Sequence, residues 1–253
     1  MTSQVAAWPA VLRDRLKTHR LHIELFCQRW NIQELALFGS VIRDDFTSAS
    51  DIDVLIERNP DAKRDGFDTV QMQAELSQLF DRPVDLTQKR LVKNPFSRAE
   101  ILGTYRVIYP PKAANFTGLI PANKPMTENV RDHASLFDMV KAMQAIGRFV
   151  PGRTFEDYLT DEMFQSAVER KLEILGEAAN RISSRFQEQH ADIDWRNIVG
   201  LRNKVIHQYD ELDYQEVWKI AINDVPLLLM QIQPLLPDLP AEDEPSEDEL
   251  KTD

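Results

Sequence analysis

Residues 35–57, LALFGSVIRDDFTSASDIDVLIE, decide how the first part of this chain folds. Phe38-Gly39-Ser40 closes an apolar segment, ten residues follow, and Asp51-Ile52-Asp53 opens the apolar run Val54-Leu55-Ile56. Successive side chains on a strand alternate between faces, so Asp51 and Asp53 point the same way. Two neighbouring carboxylates repel each other, and a hard divalent cation is their natural partner. Upstream, Leu35 to Phe38 reads as a second strand that ends in the Gly-Ser turn. Glycine lets the backbone approach a phosphate closely, and Ser40 adds a hydroxyl and an amide donor. Strand, Gly-Ser, spacer, D-x-D and strand together predict a site for a nucleoside triphosphate and Mg²⁺.

The chain around this stretch has 253 residues, room for one large domain or two small ones. Its 43% hydrophobic and 28% charged residues are those of a globular protein. No apolar run is long enough to cross a membrane, and the N-terminus lacks the basic start and apolar block of a secretory signal. The single cysteine, Cys27, excludes an internal disulfide and fits a half-buried helix position in a reducing compartment. The cytoplasm is the expected location. Of the net charge of −11, the tail from Ala241 to Asp253 carries −6, with seven acidic residues and one lysine. That run without aromatics reads as a disordered, solvated tail. The remaining −5 argues only against broad, non-specific binding of nucleic acid.

Residues Trp8 to Trp30 predict two helical pieces, with Leu12 and Leu16 on one face and Leu21 and Leu25 on another. His19 and His22 lie three apart, without a nearby carboxylate or cysteine, and read as a solvated pair. Phe67 to Phe80 predicts an amphipathic helix with Val70, Leu76 and Leu79 in the core. Val84-Asp85-Leu86 reads as a short strand that turns Asp85 away from the core. A helix opened by Asn94-Pro95 and a strand over Thr104–Tyr109 complete a first domain, 1–109. Four of the fourteen prolines fall within 110–126, which reads as a linker.

From Thr127 the strand signals stop. Glu128 to Phe149 predicts a helix with Val130, Val140, Met143 and Ile146 on its apolar side. Asp161 to Gln189 carries the strongest helical period, through Phe164, Val168, Leu172, Leu175, Ala179 and Ile182. Asp194 is placed to cap a third helix. Asp213 with Glu216 resembles a capping box for a fourth, carrying Val217, Ile220, Leu227 and Met230 and kinked by Pro226. The expected architecture is an α+β domain, then an all-α four-helix bundle at 127–238, then the acidic tail at 239–253.

The opening stretch resembles the nucleotidyltransferase signature of the polymerase-β superfamily, and most of all its minimal nucleotidyltransferases. The resemblance implies that Gly39 and Ser40 hold the triphosphate of ATP and that Asp51 and Asp53 bind Mg²⁺. A third carboxylate on a neighbouring strand, which Asp85 would supply, shares the metal and accepts the proton of the attacking hydroxyl.

A second constellation lies in Gly200–Tyr209, GLRNKVIHQY. On a continuous helix Arg202 and Tyr209 would lie about 20° apart, with His207 about 140° from Arg202. Arginine binds phosphate bidentately and histidine titrates near neutrality, a pairing suited to RNA cleavage by the RNA's own 2′-hydroxyl without a metal. Arg-Asn-x-x-x-His-x-Tyr, with Gly176-Glu177-Ala178-Ala179 and Asp194-Trp195-Arg196 upstream, looks like the HEPN ribonuclease toxins of the HepT type. That resemblance implies catalytic roles for Arg202 and His207, support from Asn203, a dimeric RNA-binding cleft, and Tyr209 as the residue that a minimal nucleotidyltransferase antitoxin modifies with AMP. Toxin and antitoxin are normally separate chains, and here they appear fused.

The combined expectation is a fused toxin–antitoxin protein that uses Mg²⁺ and ATP to modify Tyr209 of its own ribonuclease, with RNA and a second copy as partners. The alternative is a small-molecule nucleotidyltransferase whose helical domain shapes the acceptor pocket, which leaves the Arg-Asn-x-x-x-His-x-Tyr motif unexplained. A non-catalytic module with nucleotide and RNA sites is a further rival.

Overall fold

The first part of the chain is built on a mixed sheet of order β3-β2-β1-β4, with β1 at Ile32–Phe38, β2 at Ile52–Arg58, β3 at Val84–Gln88 and β4 at Arg106–Tyr109. The computed structural model describes residues 8–62, 67–110, 119, 128–200 and 213–240. The chain divides into two compact units, Met1–Lys93 with Ser97–Met126, and Asn94–Phe96 with Thr127–Asp253. Nearly all of the expected linker, and the tail from Ala241, lie outside the described residues.

In the sheet, β1 runs antiparallel to both β2 and β4, whereas β2 and β3 are parallel. Parallel neighbours need a crossover, and α3 (Asp68–Phe80) supplies it. Alternation then assigns the two faces. Leu35, Leu37, Ile52, Val54, Ile56, Val84 and Leu86 enter one core with α1 (Ala10–Leu16), α2 (Arg20–Arg29) and α3. Ala36, Leu55 and Val107 lie on the opposite face, against Ile101 and Leu102 of α4 (Pro95–Thr104). Phe38, Asp53 and Asp85 share this second face through the register Phe38↔Asp53 and Asp53↔Asp85.

Two helices bury faces that their leucines and valine mark only in part, Leu76 being buried as expected. On α2 the sheet-facing stripe is Ile23, Phe26 and Cys27, while Leu21 and Leu25 stay exposed. Leu21 lies about 200° around the helix from Ile23, so one face excludes the other. Cys27 is fully buried rather than half-buried, and burial pushes its thiol pKa up. On α3, Met72, Leu76 and Phe80 step by four into the core. Val70, about 240° from Leu76, is exposed, and Leu79 is only partly buried.

The second unit is helical, around one apolar cluster. The long α5 (Glu128–Phe149) buries Val140, Met143 and Ile146, and α7 (Glu162–Asn180) buries Phe164, Val168, Leu172, Leu175 and Ala179. Between them the short α6 (Phe155–Thr160) begins with a capping box: the Thr154 amide donates to Asp157 at 2.7 Å and the Asp157 amide to Thr154 Oγ1 at 3.1 Å. Asp161 caps α7 by accepting from the Phe164 amide at 3.0 Å.

The single helix expected over Asp161–Gln189 is interrupted, with α8 at Ser184–Gln189. Ser183 gives both its amide and its hydroxyl to the buried Asp132 of α5, each at 2.7 Å. A tertiary acceptor thus takes the donor that a continuous helix would need.

The helical turn at 195–200, α9, follows Asp194 as expected, with the Asn197 amide donating to Asp194 Oδ1 at 3.1 Å. Asp213 likewise caps α10 (Tyr214–Lys219), accepting from the amides of Gln215 and Glu216.

The last helix departs from its expected register. A π-helical turn at Ile220–Asp224 separates α10 from α11 (Val225–Ile232) and ends two residues before Pro226. Proline lacks an amide hydrogen and its ring collides with the carbonyl four residues back, which the wider turn relieves. Val217, Ala221, Val225 and Ile232, spaced by four, four and seven, are buried, while Leu227 and Met230, expected inside, are 63% and 74% exposed.

Candidate active site

The site begins where β1 ends. Gly39 has φ +66° and starts a tight 3-10 turn, Gly39–Ile42. A Cβ added at Gly39 would lie 2.7 Å from Cγ of Asp53 and closer still to its Oδ2. Glycine is therefore demanded twice here, by the backbone conformation and by the carboxylate against it. The amide of Ser40 hydrogen-bonds that carboxylate.

Asp53 is half-buried, and Asp51 and Asp85 flank it from exposed positions. Burial, with the like charges of Asp51 and Asp85, pushes the Asp53 pKa up to about 6, while Arg43 and the Ser40 amide oppose the rise. Asp53 feels the charge of both other carboxylates and pairs in register with Asp85, so the three acids expected from the sequence lie in one neighbourhood beside the Gly-Ser turn. Such a donor set fits a hard cation held by one or two carboxylates along with phosphate oxygens. Among the described residues, no group of three His, Cys, Asp or Glu side chains is placed to hold a metal ion.

The ten residues between Ser40 and Asp51 are fastened by three side chains. Arg15 Nη1 donates to the carbonyls of Val41 at 2.8 Å and Arg43 at 2.5 Å. Arg43 forms a two-pronged pair with Asp45 at 3.0 and 2.9 Å. Arg82 Nη1 donates to the carbonyls of Thr47, Ser48 and Ser50, at 3.0, 2.9 and 2.6 Å. Arg15 and Arg82 also contact the ring of Phe46, each with its guanidinium carbon 4.9 Å from the centroid. No local periodicity marks Arg15, Phe46 and Arg82 in the sequence, because their partners lie 26 to 36 residues away in the chain.

Of the second constellation, Arg202, Asn203, His207 and Tyr209 lie outside the described residues. The described residues of the flanking motifs are packed. Gly176, Ala178 and Ala179 are buried on α7, and Trp195 is buried with its indole nitrogen donating to the His190 carbonyl at 2.9 Å. A cavity of about 420 Å³ opens beside Gly200, lined by Leu175, Ile198 and Ile220 with Asp194 and Asp224.

Comparison with known proteins identifies both halves. The family described as "Nucleotidyltransferase domain" matches residues 19–108, and the family described as "Ribonuclease HepT-like" matches residues 139–235. The chain is 35% identical over 113 residues to "Putative RNase MJ0127" of Methanocaldococcus jannaschii, covering 45% of this chain and 93% of that protein. It is 40% identical over 93 residues to "Probable ribonuclease HepT" of Thermococcus cleftensis, covering 37% of this chain and 84% of the relative. It is also 30% identical over 92 residues to "Putative protein adenylyltransferase MJ0128" of Methanocaldococcus jannaschii, covering 36% of this chain and 87% of that protein. No solved structure matches the chain. With a nucleotidyltransferase domain ahead of a helical HEPN domain, this chain belongs to the HepT-like ribonuclease family and is a fusion of the two.

Proposed function

We propose that this protein is a self-silencing toxin–antitoxin fusion, in which the first domain transfers AMP from ATP to Tyr209 of the second and blocks its ribonuclease. The observation that carries the reading is the fit of Gly39 against Asp53, between Asp51 and Asp85, in a chain that also holds a HepT-like domain. Gly39 and Ser40 would receive the triphosphate, and Asp51, Asp53 and Asp85 would hold Mg²⁺. That ion, when bound, supplies a Lewis acid that neutralises charge on the phosphates. Asp85 accepts the proton of the Tyr209 hydroxyl as its oxygen bonds to the α-phosphorus, and the bond to pyrophosphate breaks. A tyrosine hydroxyl titrates near pH ~10, so it needs such a base to act as a nucleophile.

In the unmodified ribonuclease, Arg202 stabilises charge on the scissile phosphate of an RNA, His207 moves the proton and Asn203 supports them. AMP on Tyr209 adds bulk and negative charge two residues from His207 and repels the RNA. Self-association would bring two such motifs together, and the exposed Leu227 and Met230 on the uncharged α11 support a second copy as partner. Among the described residues no helix is long and apolar enough to cross a membrane, which accords with action in the cytoplasm.

Expression of the full chain with Asp51→Asn and Asp53→Asn tests this reading. Growth arrest and RNA cleavage are expected, both removed by adding His207→Ala. Normal growth with intact RNA would contradict it.

A further inference from the structure

The segment Arg82–Asp85 touches the acidic site at three levels. The Arg82 side chain takes the carbonyl of Ser50, the residue before Asp51, at 2.6 Å. The Pro83 carbonyl accepts from the amide of Ile52, the residue after Asp51, at 2.9 Å. Two residues further on, Asp85 lies beside Asp53 in the parallel register. The backbone on both sides of Asp51 is thus tied to the strand that carries Asp85.

Without those ties Asp51 would stand at the end of a polar loop. Residues 47–50 close only a small turn of their own, with Ser50 N donating to the Thr47 carbonyl at 3.2 Å and Thr47 N to Ser50 Oγ at 3.1 Å. Asp51 itself is exposed and precedes the first residue of β2. One guanidinium nitrogen gathers three of the four carbonyls of that turn, and its plane lies near the Phe46 ring that Arg15 also contacts. Backbone carbonyls are strong acceptors, and a cationic donor shared among several fixes their relative positions better than a neutral one. Arginine suits the task because its rigid planar head both fans out hydrogen bonds and stacks, whereas a lysine ammonium is a point charge.

We propose that Arg82 is a positioning residue of the nucleotidyl-transfer site: it sets the place of Asp51 relative to Asp53 and Asp85, and so the affinity for the metal–nucleotide complex. This rests on the reading of the three carboxylates as a metal–triphosphate site. Residues that orient metal ligands in this way, without touching the ion, typically change metal affinity by about 10–100-fold when removed.

The test uses the full chain and a readout other than turnover: Mn²⁺ binding followed by electron paramagnetic resonance, with an ATP analogue carrying a methylene bridge between its α- and β-phosphates. Asp51→Asn and Asp53→Asn, each abolishing binding, identify the site. Arg82→Ala is expected to weaken Mn²⁺ binding by about 10–100-fold, and Arg82→Lys by less. Millimolar guanidinium ion should restore part of the affinity of Arg82→Ala and none of that of Asp51→Asn. If Arg82→Ala does not fold, Arg82→Lys and Phe46→Leu decide, each giving a smaller loss in the same direction. Variants that lower the unfolding midpoint while binding Mn²⁺ as the unaltered protein does would overturn the proposal and leave the site reading standing. Absence of binding in the unaltered protein, or binding that survives Asp51→Asn and Asp53→Asn together, would overturn both.

Discussion

Gly39 and Asp53 occupy the same small space: the side chain that Gly39 lacks would overlap the carboxylate of Asp53. The left-handed turn of Gly39 and the half-buried acid on β2 are therefore one unit, which joins the end of β1 to the start of β2. Gly39→Ala should displace Asp53 and strain the turn, costing about 1–3 kcal/mol of stability and reducing AMP transfer at least tenfold. Thermal unfolding and adduct formation, measured on the same preparation, check both effects.

Asp53 carries a destabilising charge in the absence of a metal. Its carboxyl is pushed up to about 6 by burial first, and then by Asp51 and Asp85. The folded state therefore holds a proton that the unfolded chain has already released, so stability falls as pH rises from about 4 to 6 and stays lower above that. In EDTA, Asp53→Asn should flatten this slope. It should raise stability at pH 7 by about 1–2 kcal/mol, the shift being discounted for the solvent that reaches the group. Denaturant unfolding at pH 4, 5, 6 and 7 measures the difference. A gain that grew toward low pH would contradict the assignment.

Two near neighbours on α11 differ sharply in burial. Ile232 is fully buried and Met230 is 74% exposed. Ile232→Ala should cost about 2–5 kcal/mol through lost burial and the cavity left behind. Met230→Ala should stay within about 0.5 kcal/mol. Comparing the two unfolding midpoints tests which face of α11 is turned inward.

The outward face of the same helix bears on self-association. Replacing Leu227 and Met230 together with glutamate should leave the helical circular dichroism intact and convert a dimer to a monomer in sedimentation equilibrium. Sedimentation of the two proteins as the same species would remove this face from the interface.

What was legible in the sequence follows the range of each interaction. Strands β1 and β2, the Gly-Ser turn, Asp85 on a short strand and the caps at Asp194 and Asp213 rest on local chemistry, and each was visible as a pattern. The inward faces of α2 and α3 are only partly legible, through Leu76, because Leu21, Leu25 and Val70 are apolar residues left exposed. The break before α8 depends on Asp132, 51 residues from Ser183 in sequence. On α11 the residues turned inward, Val225 and Ile232, continue the spacing of Val217 and Ala221, whereas Leu227 and Met230 are apolar residues on its outer side. The fastening of the Asp51 loop by Arg82 likewise joins residues 32 to 35 apart. The motif at 202–209 was legible through its residue types and its likeness to HEPN ribonucleases, and its geometry lies outside the described residues.

The central claim is that the two domains form donor and acceptor of one reaction. Intact-mass spectrometry of the full chain after incubation with Mg-ATP, with peptide mapping of any adduct, tests it most directly. The account predicts AMP-sized increments located on Tyr209, absent from Tyr209→Phe and from Asp51→Asn with Asp53→Asn. An unchanged mass, or an increment that persists in Tyr209→Phe, would contradict it.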